Sequence, residues 1–260
     1  MIGVHIICYG QTIYYLEKKN TMKYIHHYDT EQDFQNTYYG EDYNEPWVSL
    51  TETAEPHVDY NKGYIGVDLG LPSGTRWAEY NIGAEDPSEV GNYYAWAETA
   101  PKSNYVLSTY KYWDASRGYT KYVYDDHVTR LMPEDDAAQV NLGGNWHVPT
   151  YNDFVELLEN CTVEVLHEPN TGVKYFEFTS EINGNTILFY DYREMCGEER
   201  GTGSNLILWS SEIAGDYCYP GQPFVLYGSA EYGNTPTLDE AENRYYGLPI
   251  RPVFKLPTPS

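Results

Sequence analysis

Val67-Asp68-Leu69-Gly70-Leu71-Pro72-Ser73-Gly74-Thr75-Arg76-Trp77-Ala78 is the stretch from which the fold of this 260-residue chain is read. Val67, Leu69 and Leu71 alternate with small or polar residues, as one face of a half-buried strand does. Pro72-Ser73-Gly74 breaks that run with turn chemistry, because proline presets φ and glycine accepts positive φ. Thr75, Trp77 and Tyr80 then resume the β pattern. The stretch predicts two short strands about a tight turn. Its turn holds no nucleophile with a base beside it and no phosphate cradle, so it specifies a scaffold and not a chemistry.

Further along the chain, the spacing predicts two helices. The first begins near Pro133, with Glu134, Asp135 and Asp136 in its first turn, where carboxylates meet the positive end of the helix dipole. It runs through Ala137-Ala138-Gln139-Val140 and stops at Gly143-Gly144. The second starts at Thr150 as N-cap, with Asp153 in a capping-box-like relation. Phe154, Leu157, Leu158 and Cys161 follow at i, i+3, i+4 and i+7, an apolar stripe that belongs to the core. After residue 162 the reading is β. Val173–Phe178 pairs with Thr186–Phe189 across Asn183-Gly184-Asn185, since Asn-Gly is a strong hairpin signal. The segments 206–211, 224–227 and 247–253 supply three more strands, and Pro249 and Pro252 push the last toward an edge or a bulge. The class expected is α+β.

Residues 23–62 are polar and aromatic with few aliphatics, a composition that cannot build a core by itself. They are expected to add a strand or lie along a neighbour. The expected organisation is an N-terminal arm over 1–62, one domain over 63–256 and a tail over 257–260. Met1-Ile2-Gly3-Val4-His5-Ile6-Ile7 lacks the basic leader of a signal peptide. Met22-Lys23 offers an alternative start, which would make 1–21 an extension.

Against 16 basic residues the chain carries 39 acidic ones. Phosphate backbones and anionic membranes repel such a surface, so neither nucleic acid nor membrane insertion is expected. No apolar run reaches the length of a membrane-spanning helix.

Several ordered blocks carry a family resemblance: VDLGLPSGTRWAEYNIGA (67–84), GNYYAWAETAPKSNYVLSTYKYW (91–113), DDAAQVNLGGNWHVPTYNDFVELLENC (135–161), INGNTILF (182–189), LWSSE (208–212) and YYGLPIRPV (245–253). Together they resemble the Fibrobacter succinogenes major paralogous domain, abundant in Bacteroidetes surface proteins and in viruses and mobile elements of those hosts. The resemblance implies a C-type-lectin-like fold, shared with formylglycine-generating-type enzymes and with the variable proteins of diversity-generating retroelements. It implies no particular ligand. Tyr80 stands where the family has a cysteine, and Tyr190-Asp191-Tyr192-Arg193-Glu194 replaces its apolar run. The segments 45–49 and 58–62 resemble leaders of bacteriophage structural proteins.

Four cysteines at 8, 161, 196 and 218 are too few for a disulfide scaffold. Cys161 reads as a buried free thiol, and Cys196 with Cys218 is a candidate pair. Glu168-Pro169-Asn170 has the letters of a calcium-dependent sugar motif, but it lies between helix and hairpin and reads as a turn. The acidic clusters Asp125-Asp126, Glu134-Asp135-Asp136 and Asp239-Glu240-Glu242 lack EF-hand spacing. Capping accounts for the second, a solvated face for the others, and a structural Ca²⁺ is the one cofactor kept as an alternative to none. No His pair has helical ligand spacing with Glu between, and no Gly-x-Ser-x-Gly elbow occurs. Ser210-Ser211 reads as structural. An enzyme of the formylglycine-generating type ranks third among the functions considered.

The positive case is binding. Tyrosine occurs 29 times, and paratopes favour it with Ser, Gly and Asn because it offers a rigid amphipathic surface at low entropy cost. The stretch 213–246 has that composition, with Tyr217, Tyr219, Tyr227, Ser229, Tyr232, Asn234, Asn243, Arg244 and Tyr245 as candidate contacts. In the retroelement-diversified relatives the variable residues occupy the same stretch. The expected function is a non-catalytic ligand-binding or adhesion protein. Its partner would be a protein or glycan on a cell surface, and its N-terminal arm would join a larger assembly. The expected setting is a virion or mobile-element surface, with a bacterial cell-surface protein as the alternative.

Overall fold

The computed structural model describes residues 64–190, 194–200, 205–214, 221–230, 233, 235–239 and 243–255, with the backbone alone at 124 and 200 and in strands 4–9, 12–19, 22–28 and 58–59. The chain divides into two compact units, 1–54 and 55–260. In the first, β1 (Val4–Tyr9), β2 (Thr12–Lys19) and β3 (Met22–Tyr28) form an antiparallel meander. The register runs from Val4↔Glu17 to Tyr9↔Thr12, and from Ile13↔Tyr28 to Lys19↔Met22. The strand at 22–28 therefore pairs within its own unit; residues 23–62 were expected to add a strand or lie along a neighbour.

The second unit opens with β4 (Val58–Asp59), β5 (Tyr64–Asp68) and β6 (Thr75–Ala78). The expected strand–turn–strand is present, with Gly66↔Ala78, Val67↔Trp77 and Asp68↔Arg76 paired. Leu69 and Leu71 lie past the end of β5, yet both are buried. Gly74 N–H donates to Leu71 O at 2.8 Å and closes the turn. A short hairpin, β7 (Trp113–Asp114) with β8 (Gly118–Tyr119), follows a long irregular stretch.

Both expected helices form. A 3₁₀ turn over Pro133–Asp135 precedes α1 (Ala137–Leu142), and the cap is Asp136, whose carboxylate accepts from Gln139 N–H at 2.9 Å. Asp135 is not a capping group; it turns inward and is 1% exposed. The longer α2 (Tyr151–Asn160) has the anticipated Thr150–Asp153 capping box. Phe154, Leu157 and Cys161 on its stripe are buried, and Cys161 is a free thiol that burial pushes up to about 11.

β9 (Cys161–His167), β10 (Lys174–Ser180) and β11 (Thr186–Tyr190) make one antiparallel sheet in the order β11-β10-β9. The ribbon β12 (Met195–Cys196) with β13 (Glu199–Arg200) comes next. Then β14 (Asn205–Ile213), β15 (Pro223–Ser229) and β16 (Thr237–Asp239) pair consecutively. Finally β17 (Val253–Lys255) returns to β6, with Val253↔Trp77 and Lys255↔Thr75, as the terminal strand of that sheet; of the strand expected over 247–253 only its last residue belongs to it, and Pro249 and Pro252 precede it. The whole is α+β, mostly antiparallel.

The interior has two main apolar clusters, and β14 faces both. Ile207, Trp209 and Ile213 join one with Trp96, Tyr122 and Trp146; Leu206 and Leu208 join the other with Phe154, Phe176 and Phe189. A strand buried on both faces must read as a continuous apolar run, as Leu206–Trp209 does. Two of the buried tryptophans on the first cluster reach backbone acceptors: Trp96 Nε1 donates to Ser210 O at 2.8 Å and Trp209 Nε1 to Tyr94 O at 2.7 Å.

Leu208→Ala should therefore lower the unfolding free energy by about 2–5 kcal/mol through transfer and cavity costs. Val140→Ala, at a half-exposed position on α1, should stay within about 0.5 kcal/mol of wild type. Denaturant titration measures both, and equal effects would contradict this placement of the core.

Candidate functional site

Alternation along Asn243-Arg244-Tyr245 sends the middle side chain inward and leaves its neighbours half-buried. Arg244 is 1% exposed. Its Nη2 donates to Gly221 O at 2.6 Å and to Tyr122 O at 2.8 Å, Nη1 to Lys121 O at 3.1 Å, and Nε to Gly221 O at 2.9 Å. Its guanidinium carbon lies 4.6 Å from the Tyr119 ring centroid and 5.6 Å from that of Trp96. Burial lowers its affinity for its proton, but a guanidinium keeps its charge in proteins. Arg244 thus ties the closing segment to the chain around Tyr119–Tyr122.

The hairpin opposite is held by its own turn. The Asp114 carboxylate accepts from Ser116 N–H at 2.8 Å, from Arg117 N–H at 3.0 Å and from the Ser116 hydroxyl. The two Ser116 donors, with the Arg117 amide, hold that carboxyl below its usual range. Gly118 closes the turn at φ +82°, a conformation that favours glycine. Trp113 and Tyr119 then face each other edge to face, 5.2 Å between centroids.

Behind the hairpin sits Asp135. It accepts from Tyr122 OH at 2.8 Å, from Lys111 Nζ at 3.2 Å, and from Lys121 Nζ and Tyr112 OH. Burial alone would raise this carboxyl; the four donors outweigh it and hold it at about 2. Burial likewise raises the hydroxyls of Tyr119 and Tyr122. The cluster fixes the aromatic stretch from both sides.

Between these supports lies a groove of 510 Å³, open to solvent. The hairpin contributes Trp113, Arg117, Gly118 and Tyr119, and the closing segment Asn243 and Tyr245, with Leu107 and Val123 completing the lining. A shallow surface with rigid aromatic rings, one amide and one cation can hold a ligand by ring contact and a few directed hydrogen bonds.

Of the nine residues expected to bind, Asn243 and Tyr245 line this groove. Arg244 is corrected from contact to support, because burial removes it from any ligand. Ser229 is 1% exposed and belongs to the interior, and Tyr227 is half-buried against the first cluster. Tyr217, Tyr219, Tyr232 and Asn234 lie outside the described residues. Trp113, Arg117 and Tyr119 were missed. Their signal was Asp114-Ala115-Ser116-Arg117-Gly118, turn letters between two aromatics, with an arginine that an acidic chain makes conspicuous.

Other candidates resolve into structure. Glu168-Pro169-Asn170 is the turn joining β9 to β10, and Tyr190 OH donates to Glu168 Oε1 at 2.7 Å. His147 Nδ1 lies 3.0 Å from Asn145 O, and its Nε2 faces Asp153 at 3.8 Å, so neither nitrogen faces a serine. Ser210 and Ser211 are buried. Cys196 is an exposed free thiol, and Cys218 lies outside the described residues. Among the described residues no group of three or more His, Cys, Asp or Glu is placed to hold a metal, and no helix is long and apolar enough to cross a membrane. Comparisons with protein-family models, curated proteins and solved structures give no match to this chain.

Two outcomes follow from these supports. Arg244→Ala removes the donors from three carbonyls, of which Tyr122 O is buried and Lys121 O and Gly221 O partly so, at up to about 1–3 kcal/mol each, and should lower Tm by on the order of 10 °C in a melt followed by circular dichroism. A change under about 2 °C would contradict its supporting role. Asp135, at about 2 when folded against an ordinary 3.8, stabilises the fold fully above the unfolded value and loses that contribution as pH falls through 3.8 toward 2. Asp135→Asn should therefore be less stable at pH 7 yet show a shallower loss across that window, read by tryptophan fluorescence.

Proposed function

We propose that this chain is a non-catalytic ligand-binding or adhesion protein on a C-type-lectin-like scaffold of the Fibrobacter succinogenes major paralogous domain kind. The observation that carries this reading is the groove, where rigid aromatics and an amide from two distant segments meet over a buried guanidinium. Trp113, Tyr119 and Tyr245 act as anchors, and Asn243 supplies directed hydrogen bonds. The aromatic neighbours around Tyr119, at 5.9 Å from Tyr110 and 5.2 Å from Trp113, restrain its ring before a ligand arrives. Preorganisation of this sort reduces the ordering cost of association. The family resemblance and the phage-like leader favour a virion or mobile-element surface as the setting. The N-terminal residues would join the larger assembly, and the partner is a protein or glycan on a cell surface.

The test is a binding screen on immobilised glycans and intact bacterial cells. Truncating a central aromatic anchor costs about 2 kcal/mol or more, so Trp113→Ala and Tyr245→Ala should each weaken binding about 30-fold with little change in Tm. Tyr175→Ala, at a stacked pair on β10 remote from the groove in sequence, should leave binding intact. Binding that survives both groove variants would sink the proposal.

A further inference from the structure

The charge of the groove departs from that of the chain. Formal net charge is −23, yet among the described residues no carboxylate lines the groove, and the charged side chain in that lining is Arg117. Arg117 stands exposed at the hairpin tip, and among the described residues its guanidinium has no ion-pair partner. The nearest acid along the chain, Asp114, directs its carboxylate at the turn amides and the Ser116 hydroxyl. Beneath Tyr119, Arg244 adds a second cation whose donors, among the described residues, meet only backbone carbonyls; among those residues Asp126 is the carboxylate acting on it. A cation at the rim and another under the floor give a local positive field inside a strongly negative surface.

From this juxtaposition we infer that the groove recognises an acidic saccharide, a sugar bearing a single carboxylate. The inference rests on the reading of the groove as a ligand site. The C–H face of a pyranose packs against Trp113 and Tyr245, its hydroxyls bond the Asn243 amide, and its carboxylate meets the Arg117 fork, which matches carboxylate geometry in two parallel bonds. An open groove leaves the other hydroxyls wet. A polyphosphate or nucleic acid is disfavoured, because the chain's overall charge repels a polyanion beyond the reach of two arginines.

The experiment pairs oligosaccharides that contain sialic, glucuronic or galacturonic acid with their neutral or methyl-esterified counterparts. A glutamate-rich peptide serves as competitor, and binding is followed by calorimetry on the full chain. At least one acidic sugar should bind about tenfold more tightly than its neutral partner. That ratio should fall to near one in Arg117→Gln, while Trp113→Ala should lose both members. Equal affinities, no binding by any acidic sugar, or equal competition by the peptide would overturn the inference. If cell binding is lost in Trp113→Ala and Tyr245→Ala but kept in Arg117→Gln, the groove stands as a ligand site and the acidic saccharide falls. If cell binding ignores all three variants, both readings fall.

Discussion

Arg244 carries a full charge into the interior, where three backbone carbonyls and two aromatic faces take the place of water. Desolvating a guanidinium is costly, and only a complete set of acceptors offsets that cost. The acceptors come from Lys121, Tyr122 and Gly221, so the charge can be satisfied only when segments about a hundred residues apart have converged. Lysine would not serve, since one ammonium cannot span that fork of carbonyls. The same constraint sets the neighbours: with Arg244 inward, Asn243 and Tyr245 line the groove.

A second buried guanidinium closes the domain by similar means. Arg251 Nε donates to Asn81 Oδ1 at 2.8 Å, and its Nη atoms reach Ala78 O, Glu79 O and Leu188 O. It therefore binds the exit of β6 to β11, beside the pairing of β6 with β17. Packing there leaves no slack: the Phe254 ring would lie 2.2 Å from a Cβ placed on Gly66. Around these fixed points β14 divides the two apolar clusters, and the aromatic stretch from Tyr112 to Tyr122 is clamped between Arg244 and Asp135.

Local signals in the sequence were reliable where one element satisfies itself. The turn at Pro72–Gly74, the capping box at Thr150 and Asp153, the stripe Phe154–Cys161 and the Asn-Gly hairpin are all visible within a few residues. Asp135 was misread as a capping acid because its donors, Lys111, Tyr112, Lys121 and Tyr122, belong to another segment. Arg244 was misread for the same reason. Composition alone cannot separate a tyrosine or arginine that displays from one that supports, since both functions favour large amphipathic side chains. The meander at 4–28 was missed because paired strands satisfy backbone groups whether or not their sequence is aliphatic.

Ligand, as proposed, meets this chain over Arg244, between the β7–β8 hairpin and the closing segment. Amide and indole shift mapping on the ¹⁵N-labelled chain, titrated with the tightest-binding oligosaccharide, tests it most directly. Perturbations should concentrate at the Trp113 indole, Arg117, Tyr119, Asn243 and Tyr245, leaving the Glu168–Gly172 turn unmoved. Shifts centred on that turn, or scattered with no maximum at the groove, would contradict it.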